Sequence, residues 1–289
     1  MSKPILNVVS HYLALSKFRL TLTASITTLS GYFAAGGRDL IIALHILFAA
    51  CLLGAGANTF NQVIEKSHDS QMDRTKGRPI PTGDIKTSSA LIFASIISVY
   101  GLIHLYITTR VEASLVALIL LLIYVFFYTP MKRISPLSVY VGAVSGAMPT
   151  AIGWYALNTP WNSYAWSIFS TQFIWQIPHF YVIAWMYRED YSRAGFKMVS
   201  ENDPNATKMR IPTLFFTFLI GALSVWPFCM GHTGFQYLTL ILIANVMLWA
   251  GLIQFLKKPA RDSAVVYVIC SALFIILWTS AIIINAYTK

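Results

Sequence analysis

Nine apolar stretches follow one another along this chain, at roughly 20–36, 40–58, 88–109, 113–129, 138–157, 163–186, 211–230, 235–256 and 264–286. Most reach about 18 residues, the length an α-helix needs to cross a hydrocarbon layer about 30 Å thick. In lipid every backbone N–H and C=O must find a partner inside the protein, so segments of this kind fold as helices. The expectation is an all-α, polytopic membrane protein with nine transmembrane helices, forming one membrane-embedded domain over residues 1–289. Composition agrees. Only 11% of residues are charged, against about 25% in a typical soluble domain.

Nine spans put the termini on opposite sides. With the N-terminus in the cytoplasm, 18 of the 21 basic residues fall inside, and only Arg38, Arg110 and Lys289 fall outside. Cytoplasmic loops are rich in Lys and Arg, so this orientation is the expected one. The net charge of +10 then reflects topology and an anionic substrate, and nucleic acid is not an expected partner. The first twenty residues lack an apolar core ending in a small-residue cleavage site, so the first span is expected to stay in the mature chain. Cys51, Cys229 and Cys270 are isolated in apolar runs and read as packing residues.

Eight of the eleven acidic residues lie in two long connections, about 60–87 and 187–210. In the first, Asn61, Glu65 and Asp69 recur every fourth residue. A four-residue step drifts only about 40° around a helix, so the three share one face. That face offers hard oxygen ligands, with Arg74, Lys76 and Arg78 close behind. Magnesium favours carboxylate oxygens plus substrate phosphate, and Arg and Lys bind phosphate oxygens. The pattern therefore suits a magnesium diphosphate; a solvated helix capped by charges is the competing reading.

In the second connection Glu189 and Asp190 would supply a second metal position, with Arg188 on the diphosphate. Lys132 and Arg133 either reach the same diphosphate or only obey the charge rule for loops. Gly142 and Gly146 form a GxxxG, a close helix-packing face. His179 follows Pro178 inside an aromatic span and is a candidate axial ligand to a porphyrin iron or a polar contact to an acceptor, against an ordinary hydrogen bond within the bundle. His45 and His104 read as core, and His68 as solvated.

Three blocks together resemble UbiA-type intramembrane prenyltransferases, and within that superfamily the haem O synthases (protoheme IX farnesyltransferases). They are Asn61-Gln62…Glu65…Asp69…Met72-Asp73-Arg74-Thr75-Lys76-Gly77-Arg78-Pro79, Tyr128-Thr129-Pro130-Met131-Lys132-Arg133, and Trp175-Gln176-Ile177-Pro178-His179-Phe180 through Arg188-Glu189-Asp190-Tyr191…Gly195. The resemblance implies nine helices around a central cavity open to lipid, Mg2+ as cofactor, and farnesyl diphosphate and haem b as substrates. Asn61, Glu65, Asp69, Arg74, Lys132, Arg133 and Arg188 would act on the substrate, with Arg78 on the diphosphate and His179 on the haem. Asn61, Glu65, Asp69, Glu189 and Asp190 would hold metal.

The resemblance further implies a bacterial plasma membrane location and a product used by haem-copper terminal oxidases, with haem A synthase or oxidase assembly factors as partners. Two departures stand out: Glu65 replaces the superfamily's usual Asp, and Tyr187 and Tyr191 occupy the spacing of its second aspartate pair. The alternatives are a superfamily member acting on a quinone-precursor ring or a chlorin, and a non-catalytic haem transport or assembly protein.

Overall fold

The computed structural model describes residues 5–288, which leaves Lys3 and Lys289 outside. All regular structure among the described residues is helical: α1 (Ile5–Leu15), α2 (Phe18–Ala34), α3 (Leu40–Ile64), α4 (Lys66–Asp69), α5 (Thr87–Thr108), α6 (Val111–Leu122), α7 (Thr129–Met131), α8 (Ser138–Tyr155), α9 (Ser163–Met186), α10 (Arg188–Arg193), α11 (Thr207–Cys229), α12 (Phe235–Lys257) and α13 (Arg261–Thr288). Residues Ile123–Tyr128 join α6 to α7 as a π-helical stretch. Pro130 explains the irregularity: it has no N–H to give the carbonyl four residues back, and its ring crowds that carbonyl. The Thr129 hydroxyl donates to the Tyr124 carbonyl at 2.8 Å, which also accepts the Thr129 N–H.

Side chains satisfy the backbone where several helices begin. Asp39 Oδ1 accepts the N–H groups of Ile41 and Ile42 at the start of α3. Asn162 Oδ1 does the same for Tyr164 and Ala165 at α9, and Asp203 for Thr207 and Lys208 at α11. Such caps supply acceptors for N–H groups that have none within the helix.

Each of the nine apolar stretches is mostly helical, 113–129 running from α6 through the π-helical stretch into α7, but among the described residues six helical segments are long and apolar enough to cross a membrane by length and composition: 40–64, 87–108, 111–131, 207–229, 235–257 and 261–288. The other three stretches correspond to α2, α8 and α9, and packing accounts for their different character. The helices form a ring in chain order, with α13 returning to α2; α8 also packs against α2, and α9 against α13. Twelve residues of α8 are buried, many of them small or hydroxylic, whereas α5 buries only the stripe Ala90, Ala94, Ser98, Gly101 and Leu105. Helices surrounded by protein can carry polar groups on several faces; a helix with one protein-facing stripe keeps them mainly to that stripe and its ends.

Helices α2 and α8 meet backbone to backbone through a glycine on each side. A Cβ on Gly31 would lie 1.8 Å from the Thr150 carbonyl oxygen, and one on Gly153 would lie 1.8 Å from that of Thr28. The GxxxG pair does something else. Gly142 receives the ring of Tyr128 and Gly146 the carboxamide of Gln176. Both glycines serve close packing, against side chains rather than a helix backbone.

Candidate active site

The α3 helix ends at Ile64 and a new turn, α4, starts at Lys66, yet the hydrogen-bond ladder survives the break. Glu65 N–H donates to the Asn61 carbonyl at 2.9 Å, and Asp69 N–H to the Glu65 carbonyl at 2.8 Å. Four-residue spacing is therefore preserved, and Asn61, Glu65 and Asp69 are all buried. Two buried carboxylates are costly unless paired, by several kcal/mol each. Each has a cation. The Lys132 ammonium pairs with Glu65 Oε1, and Arg78 Nη1 donates to Asp69 Oδ2 at 2.6 Å. Asp69 Oδ1 is buried with no hydrogen-bond partner.

Lys132 also sits 4.9 Å from the ring centre of Tyr128 and 5.6 Å from that of Phe196. Burial opposes its charge, but Glu65, with Tyr128 and Tyr124, holds its pKa above the usual lysine value. Its neighbour Arg133 plays a different part: Nη2 donates to the Ile64 carbonyl at 2.7 Å and so caps the end of α3.

Lys17 is a member of the site that loop-charge reasoning left as topology. It lies between α1 and α2 in the left-handed backbone region, at φ 44°, and its ammonium donates to Asn61 Oδ1 at 3.4 Å. Burial, together with the Arg78 and Lys132 cations, pushes its pKa down to about 7. Asn61 Nδ2 donates to Thr129 at 3.3 Å, and Asn58, one turn earlier, accepts from Tyr124 at 3.5 Å. No sequence signal marks Lys17: its left-handed backbone is visible only once the fold is known.

Residues of the second connection clamp the first. Asp190 accepts the backbone N–H groups of Asp73 at 3.4 Å and Arg74 at 3.2 Å, and pairs with Arg193. Arg193 also reaches Asp73 at 2.7 Å. His68, expected to be solvated, instead donates from Nδ1 to the Ala194 carbonyl at 2.7 Å, while Met72 packs with Ala194 and Phe196.

The Arg74 guanidinium lies 4.5 Å from the ring centre of Tyr187 and 5.4 Å from that of Tyr191. It also donates to the Tyr191 hydroxyl at 3.0 Å. The two tyrosines at the spacing of the superfamily's second aspartate pair therefore hold an arginine.

Several expected residues are not gathered with Glu65 and Asp69. The Glu189 side chain is 87% exposed and faces Arg188 at 3.5 Å. Arg188 itself donates to the Trp185 carbonyl and lies over the Trp185 ring. His179 bonds Ser271 at 3.0 Å across the α9–α13 seam and stacks on Trp175. Among the described residues no three His, Cys, Asp or Glu side chains converge as a metal site. What does converge is two carboxylates and an amide oxygen, with one carboxylate oxygen unpartnered, facing three buried or half-buried cations. Hard oxygen donors of this kind fit magnesium when substrate phosphate completes the coordination shell.

Residues 24–278 match the UbiA prenyltransferase family. The protoheme IX farnesyltransferase of Cytophaga hutchinsonii is 32% identical, over 91% of this chain and 93% of that protein. That of Flavobacterium psychrophilum is 31% identical, over 99% and 97%. Among solved structures, a UbiA homologue from Archaeoglobus fulgidus bound to DMAPP and Mg2+ superposes with a TM-score of 0.69 at 16% identity, covering 94% of this chain and 98% of that one. The apo UbiA homologue from Aeropyrum pernix K1 gives 0.76 at 14% identity, covering 93% and 98%. The helical ring, the buried acid–cation cluster and the match over most of the sequence place this multi-pass membrane protein in the UbiA prenyltransferase family.

Proposed function

We propose that this prenyltransferase moves a farnesyl group from farnesyl diphosphate to a vinyl group of haem b, producing haem O. The protoheme IX farnesyltransferase names of its relatives support the substrate pair. The observation that carries the chemistry is the charge balance at the end of α3: Lys17, Arg78 and Lys132 face Glu65 and Asp69, with Arg74 held beside them. A cluster with surplus positive charge in a low-dielectric setting requires an anion, and diphosphate is one.

Magnesium held by Asn61, Glu65 and Asp69 would offset charge on the leaving diphosphate. Arg78 and Lys132 bind its oxygens, turning from the carboxylates they otherwise neutralise, and Lys17 joins them from its place beside Asn61. Arg74 approaches from the second connection. The allylic C–O bond breaks, its electron pair leaves with the diphosphate, and the vinyl carbons attack the farnesyl cation. Water adds its oxygen to the resulting porphyrin-side cation, and a proton departs with the diphosphate. Fixed charges aimed at the leaving group lower the barrier without reorganisation, and the apolar bundle excludes stray water.

His179 is the proposed haem contact. Glu189 and Asp190 have no such place in this scheme; Asp190 acts through the backbone of Asp73 and Arg74. The membrane is proposed to be a bacterial plasma membrane, with the charged ends of the helices and the N-terminus in the cytoplasm. Haems extracted from membranes of a host that makes haem b, with and without this chain, test the reading. Appearance of a farnesylated hydroxyethyl haem is expected; unchanged haems with a prenylated ring product would overturn it.

A further inference from the structure

Among the described residues the amide oxygens of Gln62, Gln172 and Asn245 are buried without a partner; the nitrogens of Gln62 and Asn245 are each held twice, and that of Gln172 is not. Gln172 on α9 is 4% exposed. Its Nε2 makes a long 3.5 Å bond to the Gly146 carbonyl, and its Oε1 is buried with no hydrogen-bond partner. Exchanging the amide's oxygen and nitrogen does not remove the deficit, because the second group then lacks an acceptor. A buried polar group in this state forgoes the hydrogen bonds it would make to water. A water molecule bonded to it removes most of that loss.

Gln176, one turn further along α9, is by contrast well held. Its Nε2 donates to the carbonyls of Ala143 at 3.2 Å and Gln172 at 3.0 Å. Its Oε1 lies where a Cβ on Gly146 would stand. Gly146 thus keeps both glutamines against α8.

The same face of α8 leads back to the cations. Gly142 accommodates the ring of Tyr128, which lies 4.9 Å from the Lys132 ammonium paired with Glu65. One helical turn, about 5.4 Å, separates Gly142 from Gly146. Gln172 therefore lies deeper in the bundle than the cluster that takes the diphosphate. The reacting carbons must also lie deeper, because the prenyl chain leads away from the diphosphate into apolar surroundings.

We propose that Gln172 holds the water whose oxygen becomes the hydroxyl of the product, with Gln176 as a positioning residue. This rests on the farnesyl-to-haem reading above. The vinyl group's terminal carbon bonds to farnesyl C1 as diphosphate leaves. The cation then lies on the carbon next to the porphyrin ring. The water oxygen bonds to that carbon, and its proton is carried off by the diphosphate. Without a placed water, the same cation loses a proton from the neighbouring CH2 and ends as an alkene, lighter by one water. An uncharged amide suits this role, because a carboxylate at that depth is costly to desolvate and would itself capture the cation.

The test is the mass of the farnesylated haem formed by membranes carrying the wild-type chain, Gln172→Leu or Gln172→Asn. Wild type is expected to give the hydroxylated product. Gln172→Leu is expected to give mainly the alkene, with at least a tenfold fall in the hydroxyl-to-alkene ratio, and Gln172→Asn a mixture. A wild-type ratio in either active variant overturns the proposal, as does loss of all farnesylation in both, which marks Gln172 as structural. Absence of any farnesylated haem from the wild type would instead strike the underlying reading of function.

Discussion

The two charged connections have similar composition and opposite uses. In the first, Glu65 and Asp69 are withdrawn from solvent and each held by one cation. In the second, Glu189 stays at the surface and Asp190 binds the backbone of the first connection. Burial separates a carboxylate that can act on a ligand from one that is merely charged. The cost of desolvating an acid ensures that a buried one has a partner, and a partner that can be exchanged makes a site. The second connection contributes by clamping and by its aromatic grip on Arg74.

The sharpest way to break this contrast is to change one acid on each side. Asp69→Asn keeps the shape and removes the charge; farnesylated haem formation is expected to fall at least about a hundredfold, in line with the loss of a leading electrostatic contribution. Glu189→Ala is expected to stay within about twofold, as for an exposed ion pair. Equal losses in the two variants, measured by haem extraction at matched protein levels, would erase the distinction.

Removing the clamp should have an intermediate effect. Asp190→Ala leaves the N–H groups of Asp73 and Arg74 without their acceptor, and about a tenfold rise in KM for the prenyl diphosphate is expected from misplacement of Arg74. The magnesium concentration giving half-maximal rate should not move. A shift in that midpoint would mean that Asp190 binds metal.

The smallest effect concerns Lys17 before substrate binds. Its folded pKa of about 7 lies below the ordinary lysine value of 10.5, so between these values the unfolded chain binds more protons. Stability should therefore rise as pH climbs from about 7 toward 10.5, where the cost of keeping this lysine charged disappears. Lys17→Met should be the more stable protein at pH 7 and should lose this part of the slope. Thermal unfolding of the detergent-purified proteins between pH 7 and 9 reads the difference; parallel curves would argue against a strained charge at Lys17.

The helices were legible because lipid allows an isolated apolar segment few alternatives. The face Asn61–Glu65–Asp69 was legible because four-residue spacing fixes direction, and it held even though the helix breaks at Glu65. Less was visible where position depends on a distant segment. Lys17 lies 44 residues before Asn61, and nothing in its neighbours marks it as part of the site. Arg133 and Lys132 are adjacent in sequence, yet one caps α3 and the other meets Glu65. The Gly142–Gly146 spacing was apparent, while the glycines that bring two backbones together, Gly31 and Gly153, belong to different helices and share no local pattern.

By itself, then, the sequence determined a helical membrane protein whose acids and cations gather in two connections, because hydrophobic length and residue spacing act locally. Only the tertiary structure decided which of those charges are buried together. Burial and pairing are properties of packed helices, and each depends on residues that the chain brings from far apart.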